Sequence, residues 1–212
     1  MLRDVVSWLF PRWVNPSCPQ ALRRVSTPTP LPTFDDVDRP AIEEILKVLA
    51  RYGLTGAFFL TGQQLESDRT LPALIYEAGH IVGNHAYHHH DLRHVKLKEA
   101  CDEIRRTQEL LEPFAPSRWF RPPYGAISKP LCRWLEDEGF TLVLWNLDSG
   151  DWRSGATEEG VVAAASRAAP GDIVLFHSRP LTARCLPRIV EIWAERGLLA
   201  ASLRPAERMV NP

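Results

Sequence analysis

Residues 128–147, SKPLCRWLEDEGFTLVLWNL, hold the transition on which the fold turns. Ser128 is a candidate N-cap, Leu131 and Leu135 supply the apolar contacts of a short helix, and Gly139 is its terminator. Residues 140–147 (FTLVLWNL) then read as the strongest strand in the chain. A helix running straight into an apolar strand is the repeating half of a βαβ unit. The rhythm continues in both directions. Upstream, Ile42, Ile45, Leu46 and Leu49 line one face of a helix that follows Pro40 and stops at Gly53, and residues 55–60 (TGAFFL) read as a buried strand. Leu71, Leu74, Ile75 and Ala78 mark a helix ended by Gly79, a short strand covers 80–84, a longer helix spans about 97–112, and 118–120 form a strand. Downstream, Thr157 caps a helix to about residue 168, and 172–176 (DIVLF) is another buried strand. Leu186, Ile189, Val190 and Trp193 mark the last helix, and 198–203 close the series. With 31–34 as a short first strand there are about seven. Crossovers of helical length make the sheet parallel, and a closed or nearly closed α/β barrel is expected.

Composition supports a single folded unit. The chain has 212 residues, 45% hydrophobic and 24% charged, which suits one domain at roughly 100–200 residues each. With 25 Lys+Arg against 26 Asp+Glu, the net charge of −1 supplies no field for steering phosphates, so nucleic acid is not an expected partner. The apolar runs Val5-Val6 and Trp8-Leu9-Phe10, split by Ser7, are too short for a transmembrane segment or an export signal, and a cytoplasmic location is expected. Cys18, Cys101, Cys132 and Cys185 form no Cys-x-x-Cys pair and are expected to be reduced, mostly buried thiols. Residues 1–32 carry six prolines and read as an irregular lead-in, with Trp8 and Trp13 laid on the body; 33–212 form the main domain.

The reactive side chains fall at the C-terminal ends of the expected strands. Asp35 and Asp36 follow the first, His85 the third, Arg121 the fourth, Asp148 and Asp151 the fifth, and His177 the sixth. In a parallel barrel these ends open on one face, so residues distant in sequence converge there. In an extended segment, neighbours such as Asp35 and Asp36 point opposite ways, so one can serve a metal and the other a substrate. His85 and His89 are four apart, a spacing that lets two imidazoles meet one cation, and a carboxylate would complete a three-ligand site with room for water. His90 and His94 share that spacing, and six of the seven histidines lie between His80 and His94, so spacing alone does not choose the pair.

Five short segments resemble the motifs of the polysaccharide deacetylases that share the NodB homology domain, carbohydrate esterase family 4. They are Thr33-Phe34-Asp35-Asp36; His85-Ala86-Tyr87-His88-His89; Arg121-Pro122-Pro123-Tyr124-Gly125; Asp148-Ser149-Gly150-Asp151-Trp152; and Leu175-Phe176-His177, in family order. The similarity covers about 33–203. It implies a distorted (β/α)7 barrel, with 33–212 as its catalytic domain, and one divalent metal ion, Zn2+ in first place with Co2+ as an alternative, held by Asp36, His85 and His89. It implies metal-bound water as nucleophile, Asp35 as general base, and Arg121 pairing with Asp35. His177 would protonate the departing amine, oriented by Asp151, while the Tyr124 backbone N–H would meet the oxyanion. Tyr124, Trp152 and Leu175 would contact an acetylated carbohydrate, a chitooligosaccharide or peptidoglycan-type substrate losing its N-acetyl group.

The segments depart from the family pattern in places. Val37-Asp38-Arg39-Pro40 stands where Gly-Pro usually follows the two aspartates, Ala86 replaces a Ser or Thr, and Ser178 stands where an acid often follows the last histidine. Val37 and Ala86 motivate an alternative, a catalytically weakened carbohydrate-binding relative. Hydrolysis of other amides or of O-acetyl esters would use the same scaffold. Two histidines and a carboxylate also suit non-haem Fe(II) oxygenases, but Asp35, Arg121 and His177 match hydrolysis better.

Overall fold

A computed structural model describes residues 18–115 and 117–199. Seven parallel strands, β1 (Leu31–Asp35), β2 (Ala57–Leu60), β3 (Ile81–Asn84), β4 (Trp119–Phe120), β5 (Thr141–Leu142), β6 (Leu147–Asp148) and β7 (Ile173–His177), form one sheet in the order β5-β4-β3-β2-β1-β7-β6. Helices α1 (Arg39–Arg51), α2 (Gly62–Ser67), α3 (Leu71–Glu77), α4 (Leu97–Leu111), α5 (Lys129–Asp137), α6 (Glu158–Ala165) and α7 (Pro180–Glu195) connect them. The expected distorted (β/α)7 barrel in a single domain is what the chain forms.

Residues 140–147 behave differently from the single strand they suggest. They split into β5 and β6, which lie at opposite edges of the sheet. Only five chain steps separate Leu142 from Leu147, a reach of at most about 18 Å, so the sheet must curl until its edges nearly meet. The gap is filled from the lead-in. Leu22 N–H donates to Leu142 O and Leu22 O accepts from Leu144 N–H, both at 2.8 Å, so residue 22 sits as an extra rung beside β5. On the other side Asn146 Oδ1 accepts the Ile173 N–H at 2.8 Å. An apolar run satisfies both arrangements, since periodicity does not report which partner each residue takes. Of the last expected strand, Leu198 and Leu199 are outside any strand, and 200–203, like Trp8 and Trp13, lie outside the described residues.

Two further expectations are corrected. Cys18 and Cys132 are joined as a disulfide across a sequence separation of 114, with Cα atoms 6.1 Å apart, whereas Cys101 and Cys185 are buried free thiols. The docking of the lead-in on α5 makes that contact, and no local spacing announces it. Helix α2 is additional: Thr61 Oγ1 accepts the Gln64 N–H while the Gln64 side chain accepts the Thr61 N–H, a capping box that starts a helix too short to show periodicity.

Strand alternation divides the core and aims the site. Phe34, Phe58, Leu60, Val82 and Phe176 pack outward against α1, α3, α6 and α7, while Leu31, Ala57, Phe59, Ile173 and Leu175 pack on the inner side. Odd-numbered residues of β1 and β7 therefore face inward, which puts Asp35 and His177 at the inner rim. Gly83 is needed on β3, because a Cβ there would stand 2.6 Å from the Phe59 ring.

Candidate active site

The C-terminal strand ends open into a cavity of about 820 Å³. Asp35, Asp36, His85, His89, Tyr124, Trp152, Leu175 and His177 all line it. Arg121 and Asp151 do not; they sit buried behind Asp35 and His177. The structure thus brings together the ten residues that the resemblance assigns to the site, in a front rank and a supporting rank.

Asp36, His85 and His89 each offer one ligand atom, and these lie within 4.8 Å of one another. Asp36 Oδ1 is 3.4 Å from His89 Nε2. His85 Nδ1 is 2.7 Å from the Arg121 carbonyl. A carbonyl only accepts, so Nδ1 carries the proton and Nε2 is left with its lone pair toward the cluster, the tautomer a metal ligand requires. One carboxylate and two imidazoles with solvent access fit zinc or cobalt. His90 and His94 part company: His90 Nδ1 lies 3.3 Å from Glu103 and His94 Nδ1 3.3 Å from Asp91, so equal spacing leads to different partners.

The backbone is strained where the site is built. Asp36 (φ 50°), Ala86 (φ 61°), His89 (φ 60°) and Tyr124 (φ 59°) are four of the five non-glycine residues with positive φ among those described. Such conformations cost about 1–3 kcal/mol each and gather at functional sites. At Asp36 the left-handed turn overrides the alternation expected of an extended pair, so both aspartates line the cavity. Val37, which stands where the family pattern has glycine, is buried and outside this positive-φ set, and its carbonyl accepts from Gln64 Nε2 at 3.1 Å. The burden a glycine would carry falls on Asp36. Ala86 needs no hydroxyl to brace its loop, because its N–H is held by Asn84 Oδ1 at 2.9 Å.

Arg121 is fully buried and spends its guanidinium on four acceptors. Nη1 donates to Thr33 Oγ1 and Asp35 Oδ1 at 2.8 Å, Nη2 to Leu144 O at 3.2 Å, and Nε to Val143 O at 3.4 Å, with the Phe59 ring 4.2 Å away. Burial pushes the Asp35 carboxyl up; the Arg121 charge, then His85, His177 and the Arg121 hydrogen bond, outweigh it and leave Asp35 below its ordinary value. His177 shows the opposite balance. Burial pushes its imidazole down, but the hydrogen bond and charge of Asp151, with Asp35 and Asp36, raise it above the usual value. Asp151 holds His177 twice, through Nδ1 at 2.9 Å and the backbone N–H at 2.7 Å, and its Oδ2 also accepts from Thr182 Oγ1 at 2.6 Å. His89 is lowered, first by burial and then by the neighbouring His85.

Several supporting residues were not anticipated. Thr33 shares the inward parity of Asp35, a signal that the first motif contains. Asn84 precedes His85 and was equally visible. Thr182 and Glu103 carried no local signal, since each acts on a residue remote in the chain: Glu103 Oε2 accepts the backbone N–H groups of Tyr87 and His88 at 3.3 and 3.2 Å, tying the histidine loop to α4.

The site is thus a curled parallel (β/α)7 barrel with a carboxylate and two imidazoles at its mouth, a buried Asp–Arg pair on one side and a His–Asp pair on the other. Residues 24–143 match the family model described as polysaccharide deacetylase. The chain is 32% identical over 151 residues to a peptidoglycan-N-acetylglucosamine deacetylase of Bacillus cereus, covering 70% of this chain and 55% of that protein. It is 29% identical over 184 residues to a chitooligosaccharide deacetylase of Azorhizobium caulinodans, covering 85% of each. A solved family 4 carbohydrate esterase from Streptomyces lividans, in complex with acetate, superposes with a TM-score of 0.76 at 30% identity, over 85% of this chain and 95% of that one. The chain belongs to the polysaccharide deacetylase family.

Proposed function

We propose that the protein is a metal-dependent hydrolase that removes N-acetyl groups from an acetamido sugar in a chitooligosaccharide or peptidoglycan-type substrate. The observation that carries this reading is the meeting, in one cavity, of the Asp36–His85–His89 cluster with an aspartate held low and a histidine held high in pKa. A divalent ion in that cluster supplies Lewis acidity toward the acetamide carbonyl and acidifies water. Asp35, kept ionised by Arg121, accepts the proton of the attacking water. His177, protonated and aligned by Asp151, gives a proton to the sugar nitrogen as the C–N bond breaks, so acetate and a free amine leave. Two titratable groups whose surroundings push them in opposite directions are a mark of divided base and acid roles. The Tyr124 N–H, in its left-handed turn at the rim, is assigned to the oxyanion, a donor typically worth ~3 kcal/mol of transition-state stabilisation. Trp152 and Leu175 form walls for the sugar. The activities of the two deacetylases above support the substrate class.

Acetate release is the test. Chitooligosaccharides and peptidoglycan fragments are offered to the zinc- or cobalt-loaded chain and to Asp35→Asn. Release by the parent and its loss in the variant are expected. A folded, metal-loaded protein that frees acetate from none of them overturns the proposal, and glycan binding unchanged by Asp35→Asn without turnover would establish the silent binding relative instead.

A further inference from the structure

The loop that carries His89 presents a second set of metal donors beside the first, with His90 at the edge of the cavity. His88 Nδ1 lies 3.0 Å and His90 Nδ1 3.3 Å from the same atom, Oε1 of Glu103. One ligand atom from each of the three residues falls within 4.8 Å of the others. The two imidazoles stand nearly parallel, 14° between planes with centroids 5.2 Å apart, and each Nδ1 lies within 3.3 Å of the same Glu103 oxygen on α4. Glu103 is itself anchored, because Oε2 is occupied by the Tyr87 and His88 backbone N–H groups and only Oε1 is left to the histidines. Donors around a tetrahedral ion at about 2.0–2.1 Å stand roughly 3.4 Å from one another. The two separations to Glu103 Oε1, 3.0 and 3.3 Å, already approach that spacing.

We propose that His88, His90 and Glu103 form a second, peripheral metal site, separate from Asp36–His85–His89. Two imidazole nitrogens and one carboxylate oxygen select a borderline transition ion, zinc foremost with copper or nickel as alternatives, over magnesium or calcium, which prefer all-oxygen shells. Three protein ligands leave a position for water. The two histidines are exposed, so ions would exchange readily with solution. Because His88 and His90 flank His89, an ion here would clip both neighbours of that ligand to α4. The site does not depend on the deacetylase reading, since none of its three residues takes part in that chemistry.

Metal counting decides the matter. The tag-free chain is stripped with a chelator and equilibrated with zinc, and bound metal is measured by mass spectrometry against protein concentration. Two ions per chain are expected, falling to one in His90→Ala and to one in His89→Ala. His88→Ala should behave as His90→Ala does, and circular dichroism confirms that the variants are folded. A parent chain that binds no zinc, or one ion lost with His89→Ala and kept in His90→Ala, overturns the peripheral site, as do two ions persisting in both His88→Ala and His90→Ala. One ion lost in His90→Ala and kept in His89→Ala would uphold this site while overturning the Asp36–His85–His89 cluster.

Discussion

The Arg121 guanidinium meets the Asp35 carboxylate at 2.8 Å with both side chains buried, and it also donates to Thr33, Val143 and Leu144. This makes Arg121 a positioning residue for Asp35 and at the same time a tie across the barrel interior, from β1 to the segment that joins β5 to β6.

Replacing Arg121 by methionine would strand a buried carboxylate. A cost of about 3–5 kcal/mol in urea unfolding is expected, as for other broken buried pairs. Lysine would rescue little, because one ammonium cannot reproduce the fork. In any fraction that folds, the acid limb of the pH–rate profile should move to higher pH. The linkage runs the same way: Asp35 is depressed in the folded state, so its contribution to stability is complete above the ordinary carboxylate range and disappears as pH falls through the folded value.

Asp151→Asn removes the charge that raises His177. The alkaline limb of activity should shift to lower pH and kcat should fall by about 10²-fold or more, the lower end of general acid–base effects. A titration of the His177 ring by NMR checks the cause. Since the folded pKa of His177 is raised, its stabilising contribution is full below the usual histidine value near ~6.5 and fades as pH climbs through the raised one. An unmoved alkaline limb in the variant would count against His177 as the acid.

Chelation should abolish acetate release without unfolding the chain, because the proposed ligands Asp36, His85 and His89 sit at the rim while the two apolar clusters lie below it. Zinc or cobalt should restore activity. At a free metal concentration a hundred times the dissociation constant, one site adds about 2.7 kcal/mol of stability, visible as a higher melting temperature.

Gly83→Ala would drive a methyl group against Phe59, the ring beneath Arg121. A loss of about 1–3 kcal/mol is expected from overpacking, with a drop in kcat as the Arg121–Asp35 pair is displaced. Unchanged unfolding in urea would show that Phe59 gives way freely.

Cys132→Ser opens a link that spans 114 residues. A loss of about 2–4 kcal/mol is expected, and peptide mapping under non-reducing conditions should recover Cys18 bound to Cys132, with Cys101 and Cys185 alkylatable only after unfolding.

Local chemistry was readable from residues alone. The amphipathic faces of α1 and α7, the caps at Ser128 and Thr157, and the placement of Asp35, His85, Arg121 and His177 at strand ends follow from short-range periodicity and from which groups satisfy a helix terminus. The resemblance of five motifs then proposes His85 and His89 as the ligand pair, a choice that the spacing of His85/His89 and His90/His94 left open. Other features depend on contacts between segments far apart in the chain. The division of residues 140–147 between two sheet edges, the insertion of Leu22 as a closing rung, the Cys18–Cys132 link, the grip of Thr182 on Asp151 and the fork of His88 and His90 on Glu103 all require knowing which partner is near. Sequence dictates what each segment prefers, because those preferences are set within a few residues. Which strand edge, carbonyl or carboxylate a group meets is settled only when the sheet curls, since that choice belongs to the packing of the whole chain.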